Sequence, residues 1–249
     1  MMKMIRLLMS MFVLAVLVAC TGGGAPAEPT AAPVQAPAEE ASQPETTAAE
    51  TAVLPIGSGT DEVRTFVIDP TQSKASFLVD EEFFAGAFAK LGIEAGLADV
   101  VGSTQEVAGE LSLNFANPGL LEAGTITVQT GTLKTDQNRR DEWLQDNALE
   151  KKKFPTATFV ATSISGLPDS YTPGSELSFE LNGDLTVRDV TKPVTFAVTA
   201  VLNGDTLTGK ATLPTRMTDY GIEPPNFANT LTVADEFVIE VDITAKEQQ

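Results

Sequence analysis

"ELSFELNGDLTVRDVTKPVTFAVTAVLNGDTLTGKATL", residues 176 to 213, is the stretch whose reading decides the fold. Leu177, Phe179, Leu181, Gly183, Leu185 and Val187 alternate with Ser178, Glu180, Asn182, Asp184 and Thr186, so every second side chain falls on one face, as on a half-buried strand. The alternation passes straight through Asn182-Gly183, which therefore reads as a kink at Gly183 within one long strand. Asn203-Gly204 reads differently, because it separates VTFAVTAVL from DTLTGKATL. A two-residue type I′ loop at that pair sets Leu202 opposite Asp205, Ala200 opposite Leu207, Val198 opposite Gly209 and Phe196 opposite Ala211. The turn between the first two of these three strands is expected over Arg188 to Pro193.

The same period of two recurs outward in both directions. Phe77 and Val79 alternate with Ser76 and Leu78, and Val107, Gly109, Leu111, Leu113 and Phe115 alternate with Ala108, Glu110, Ser112 and Asn114. Near the C-terminus Phe237, Ile239, Val241 and Ile243 share a face opposed by Val238, Glu240, Asp242 and Thr244. These are half-buried antiparallel strands of one all-β domain over residues 63 to 249. Small residues such as Ala75, Ala161, Gly183, Ala200, Gly209 and Ala211 stand among the Phe and Leu of the apolar faces. An eight-stranded barrel has an interior just wide enough to be filled by side chains or to hold one small ligand, and small inward residues favour the second outcome. A fully packed core is the alternative, because alternation does not measure volume.

The ends of the chain bear on location. Lys3 and Arg6 precede an apolar run from Leu7 to Ala19, too short to span a bilayer comfortably, and residues 1 to 19 read as a signal peptide. The run closes on Leu17-Val18-Ala19-Cys20, which resembles the lipobox of bacterial lipoproteins and implies acylation of Cys20, the sole cysteine. Residues 20 to 62 are rich in Pro, Ala, Thr and Glu, with no Lys, Arg or aromatic from Thr21 to Thr60. Such a tract buries no core and reads as a disordered tether, with a reach on the order of 35 Å for about 40 flexible residues. An extracytoplasmic, membrane-anchored domain is the expectation. The formal net charge is -18, and loss of Lys3 and Arg6 with the leader makes it two units more negative, which argues against nucleic acid as a partner.

The densest charge cluster is "RRDEWLQDNALEKKKFPTATF", residues 139 to 159, which holds the sole tryptophan, Trp143. Asp136 is a good N-cap, and Asp136 with Arg140 and Arg139 with Glu142 stand at helical spacing. A helix from about Asp136 to Asn147 is expected to turn Trp143 and Leu144 toward a barrel opening as a lid, with its charges mainly solvated. Phe154-Pro155 restarts extended chain.

Several ordered blocks resemble the YceI-like family: Leu133-Lys134-Thr135-Asp136, Arg140-Asp141, Leu144, Phe154-Pro155-Thr156-Ala157-Thr158-Phe159, "GDLTVRDVTKPVTF" from Gly183, "DYGI" from Asp219, and the opening "VIDPTQSKASFLV" of residues 67 to 79. The resemblance spans about Thr65 to Lys246. It implies an extended, eight-stranded, lipocalin-like antiparallel barrel with a short helix in one long connection, binding a polyisoprenoid or similar amphiphile in its interior. Two histidine positions of many relatives are occupied here by Glu81 and Trp143, so a histidine-dependent head-group contact is absent. Residues 81 to 110 form a longer segment than the family pattern, and Phe84, Phe88 and Leu91 at helical spacing allow either a second lid helix or an apolar loop.

Without histidine and with one cysteine the chain lacks a Ser-His-Asp or Cys-His arrangement and the usual zinc or haem ligand sets. No metal or cofactor is expected, and no enzymatic activity, although a carboxylate pair meeting across loops would permit acid and base chemistry. The leading expectation is a carrier that holds an isoprenoid-type or other long-chain amphiphile among Phe77, Leu111, Phe159, Phe179, Gly183, Phe196, Ala200 and Ile239. A surface interaction module with a solid barrel is the alternative.

Overall fold

The computed structural model describes residues 54–55, 63–115, 121–172 and 174–248. The leader, Cys20 and nearly all of the tether lie outside the described residues. Leu54–Pro55, inside the segment read as tether, pair antiparallel with Ser170–Tyr171.

Ten strands, with the two-residue strand Asn226–Phe227 paired to the last of them, form one antiparallel sheet: β1 Val63–Ile68, β2 Lys74–Phe83, β3 Gly96–Thr104, β4 Val107–Asn114, β5 Leu121–Gln129, β6 Thr156–Ser165, β7 Glu176–Val187, β8 Val190–Asn203, β9 Thr206–Arg216 and β10 Leu231–Glu247. β1 and β2 are two halves of one strand, since both pair with the same side of β10: Ile68 opposes Ala245 and Lys74 opposes Asp242. β3 and β4 are likewise halves of its neighbour, broken at Gln105-Glu106. Counted this way, eight antiparallel strands close into a barrel when β9 pairs with β10 from Thr206–Lys246 to Arg216–Glu236. Closure removes the exposed edges a long open sheet would present, except along the projecting β3, which pairs as a strand only with β2. β2, β3 and the start of β10 project beyond the other strands, and between β2 and β3 sits α1, Gly86–Leu91. Only Ala87 of α1 is buried and Phe88 is exposed, so this segment is a one-turn cap on a long hairpin. The helical alternative is realised only over Gly86–Leu91, because most of residues 81 to 110 satisfy their backbone groups in strands.

The residues 176 to 213 form three adjacent strands, as their alternation requires, but both turns differ from the expected ones. The β8–β9 loop is Gly204-Asp205, with Asn203 paired to Thr206. Within it Gly204 takes positive φ (64°) and Asp205 does not, which is the demand of a type II′ turn with glycine first. The register therefore moves by two residues, so that Ala200 opposes Gly209 and Val198 opposes Ala211. An even shift leaves the inward faces unchanged. The β7–β8 turn is only Arg188-Asp189, with Val187 opposite Val190, and Pro193 lies within β8 opposite Asp184. Its missing N–H is tolerated there because β8 does not pair with β9 until Ala197. β7 is one unbroken strand, and the bulge beside Gly183 is in β6, between Ala161 and Ser163.

A long connection from Thr130 to Pro155 crosses one end of the barrel and carries α2, Asn138–Trp143, which continues as a π-helical turn over Leu144–Ala148. Gln137, not Asp136, is the N-cap residue. Asp136 instead accepts from Arg140 one turn on.

Candidate functional site: the barrel interior and its vestibule

The barrel is not filled by its own side chains. Its interior holds a cavity of about 580 Å³ with an overwhelmingly apolar lining, within the roughly 300–1,000 Å³ of sites that take small ligands. The alternation that builds the strands also builds this lining: Leu177, Phe179, Leu181, Leu185 and Val187 of β7 face inward together, as do Phe237, Ile239, Val241 and Ile243 of β10. The solid-barrel alternative is not what the structure contains.

Of the residues expected to face the interior, Phe77, Leu111, Phe159, Phe179, Phe196, Ala200 and Ile239 line the cavity, and Trp143 and Leu144 form part of its wall at the helix end. Gly183 does not line it. Strand parity does turn it inward, but the ring of Phe159, two positions away on the neighbouring strand, lies across it, and a Cβ at residue 183 would stand 2.5 Å from that ring and 2.4 Å from the Val160 carbonyl oxygen. Phe159 itself packs edge-on against Phe196 at 5.1 Å. Sequence reading missed Leu133, Leu149, Met217, Tyr220 and Ile222, which complete the wall from irregular segments where no periodicity marks an inward side. Burial pushes the Tyr220 phenol above its ordinary range, with Thr215 pulling the other way.

A second cavity of about 350 Å³ opens beside the first, between the projecting ends of β2, β3 and β10 and the helix α2. The two share Phe77, Trp143, Leu144, Met217 and Pro225 as a common wall. Trp143 meets Phe227 edge-on there at 5.6 Å. This vestibule is more polar at its rim, where Glu81, Lys90, Gln137, Arg139 and Arg140 contribute.

The charges of α2 are not uniformly solvated, contrary to the sequence expectation. Asp141 is buried (2 % exposed) and accepts from the backbone N–H and the hydroxyl of Thr135, each at 2.7 Å, with the Lys134 ammonium at 3.8 Å. Arg140 donates through Nε and Nη2 to the two carboxylate oxygens of buried Glu81, each at 2.9 Å, and through Nη1 to Asp136. Burial alone would lower the Arg140 pKa, but Glu81 and Asp136 outweigh it and raise it above its ordinary value. Glu81 thus fastens the helix to β2. Arg139 and Glu142 are exposed, as expected.

A second anchor ties the far end of the connection. Arg188, held at positive φ (58°) in the β7–β8 turn, pairs with Glu150 and donates to the carbonyl oxygens of Ala148 and Gly221 at 3.4 and 3.3 Å. Gln145 donates to the Leu133 carbonyl oxygen at 2.8 Å and receives Lys151 at 2.7 Å. The scattered blocks Leu133–Asp136, Arg140–Asp141, Arg188 and Asp219–Ile222 are therefore one hydrogen-bonded frame that sets the lid segment over the cavity. Among the described residues no group of three or more His, Cys, Asp or Glu could hold a metal ion, and no helix is long and apolar enough to cross a membrane.

Comparison with known proteins agrees with this architecture. The crystal structure of BcnA from Burkholderia cenocepacia superposes with a TM-score of 0.53 at 18% identity, over 72% of this chain and 99% of that one. A polyisoprenoid binding domain from Saccharophagus degradans gives 0.54 at 13% identity, over 75% and 100%. Among sequences, a UPF0312 protein of Shewanella oneidensis is 29% identical over 163 residues, 61% of this chain and 78% of that protein. Protein YceI of Escherichia coli O6:H1 is 30% identical over 133 residues, 53% and 64%. The family model described as the YceI-like domain matches residues 66–245, nearly the whole barrel, and the chain belongs to the YceI-like family.

Proposed function

We propose that the chain is a binding protein whose barrel shelters the apolar chain of a polyisoprenoid or similar long-chain amphiphile, and that it works outside the cytoplasm, tethered to a membrane through an acylated Cys20. The observation that carries the reading is the 580 Å³ apolar cavity inside a closed barrel. A structural neighbour described as a polyisoprenoid binding domain supports the ligand class. Each buried CH₂ contributes about 0.8 kcal/mol, so a chain of roughly twenty carbons gains enough to outlast the ordering cost of binding.

Native mass spectrometry of the full-length protein from cells that make isoprenoid lipids is expected to show a co-purifying apolar species of defined mass. Ala200→Phe, which adds bulk at a cavity-lining position opposite Gly209, is expected to displace it. Ligand-free protein, or a bound mass unaffected in folded Ala200→Phe, would overturn the carrier reading. For the tether, Cys20→Ser is expected to move the protein out of the membrane fraction as an uncleaved or mislocalised precursor, since two acyl chains hold stably where one is marginal. Unchanged processing and fractionation would end that part of the proposal.

A further inference from the structure

We infer that the vestibule beside the barrel is a head-group site selective for an anion, so that the preferred ligand is a single-chain amphiphile with a phosphate or carboxylate head. This rests on the reading of the barrel as the site of the apolar chain.

Charge is distributed unevenly around the two cavities. The barrel cavity is apolar, and the cation that reaches its lining, Lys210, is bonded to Glu240 at 2.9 Å. At the same end of the barrel Arg64 is paired with Glu247. The helix end differs. Of the four ionisable groups in the vestibule lining, Glu81 and Arg140 neutralise each other through two parallel hydrogen bonds. That leaves Lys90 and Arg139, both on the exposed rim. Lys90 donates to the Thr230 hydroxyl at 2.9 Å and has no carboxylate partner, and Arg139 has no ion pair or hydrogen bond, among the described residues. Two unneutralised cations thus face one cavity of a chain whose formal net charge is -18.

Position makes this more than two solvated side chains. The vestibule shares the wall of Phe77, Trp143 and Leu144 with the barrel cavity, so a ligand whose tail lies in the barrel with its head toward the helix has its polar end at this boundary. A charged head drawn into the barrel would lose water with no partner, which disfavours it there. In the vestibule the same head meets guanidinium and ammonium donors while remaining in contact with water. Arg139 offers a planar fork suited to phosphate or carboxylate, and Lys90 a compact charge on the opposite element. A cationic head would meet repulsion there, and a neutral head would leave both charges unused.

Trp143 lies in the shared wall and is the sole tryptophan, so its fluorescence reports occupancy directly. The full-length protein is titrated with geranylgeranyl phosphate, geranylgeraniol and geranylgeranylamine, which share a tail and differ in head. The phosphate is expected to bind roughly tenfold more tightly than the alcohol at low salt, about what two exposed charge pairs contribute, and the preference is expected to shrink as salt rises. The amine is expected to be weakest. Lys90→Gln with Arg139→Gln should bring phosphate and alcohol to near parity without changing the affinity for the alcohol, and Lys90→Glu with Arg139→Glu should reverse the order of phosphate and amine. Both positions are exposed, and an unchanged thermal melt verifies that the variants fold. Equal binding of the three heads, or a phosphate preference that persists in the double variant, overturns the head-group site while leaving the carrier reading intact. Failure of all three to bind overturns both.

Discussion

Strands β7, β8 and β9 hold one another through a continuous backbone ladder, while the connection from Thr130 to Pro155, which covers the same cavity, is held mostly by side chains. In the strands every backbone donor of the ladder has a partner whatever the side chains are, so the inward positions are free to be small or large and a cavity survives between them. In the connection the helix is short, its N-cap makes no side-chain bond, and its place depends on Asp141 with Thr135, Arg140 with Glu81, and Arg188 with Glu150. The wall tolerates change one residue at a time; the lid depends on particular partners. A buried carboxylate or guanidinium without its partner is costly, because desolvation remains and compensation is lost.

That contrast can be broken most visibly at Asp141. Asp141→Ala leaves the Thr135 N–H and hydroxyl without their acceptor in a buried site, and a loss of about 3 kcal/mol in urea denaturation is expected. Glu81→Leu, which strands Arg140, should cost somewhat less because Asp136 remains, and the double change with Arg140→Leu should cost less than Glu81→Leu alone. A loss under about 0.5 kcal/mol for Asp141→Ala would mean the lid is held by apolar packing instead.

One position in the wall is sharper than the rest. Gly183→Ala places a Cβ against the Phe159 ring and the Val160 carbonyl, so a loss of about 1–3 kcal/mol is expected even though one methyl is added. Ala200→Phe adds far more volume but directs it into the cavity, and should cost less stability than Gly183→Ala while costing more ligand. If the two rank the other way in thermal melts, Phe159 moves aside readily and the placement of its ring is not a constraint.

The smallest effect is expected on the exposed face of α2. Glu142→Ala should shift stability by no more than a few tenths of a kcal/mol, since Glu142 is exposed and makes no ion pair among the described residues. A loss above about 1 kcal/mol would show that this face is not solvated and would draw it into the same frame as Asp141.

How much of this was readable beforehand differs along the chain for a physical reason. Period-two alternation reports which side of a strand meets the core, and it pointed to β7 and β10, to Phe77, Leu111, Phe179 and Ile239 among the cavity-lining residues, and to the inward parity of Gly183. Glu81 was read only as standing at a family histidine position, although it lies on the inward parity of Phe77, Val79 and Phe83 in the folded strand. Alternation is blind to anything set by contact between distant segments. The partner of Glu81 is 59 residues away, and Asp141 looked like one more charge on a helix because Thr135 approaches it only after the connection folds back. Turn type was equally hidden: Asn-Gly suits a type I′ loop by local preference, yet the ladder with β9 and β10 settles on Gly204-Asp205.

The sequence by itself determined antiparallel strands with an apolar inner face, because a two-residue period and the burial of apolar surface are properties of each strand alone, whereas closure into a barrel was implied only by the resemblance to the YceI-like family. Only the tertiary structure decided that the interior stays open, that Phe159 occupies the space Gly183 leaves, and that Lys90 and Arg139 face a common vestibule. Volume and charge balance are sums over residues far apart in the chain, and those sums exist only once barrel closure has brought their members together.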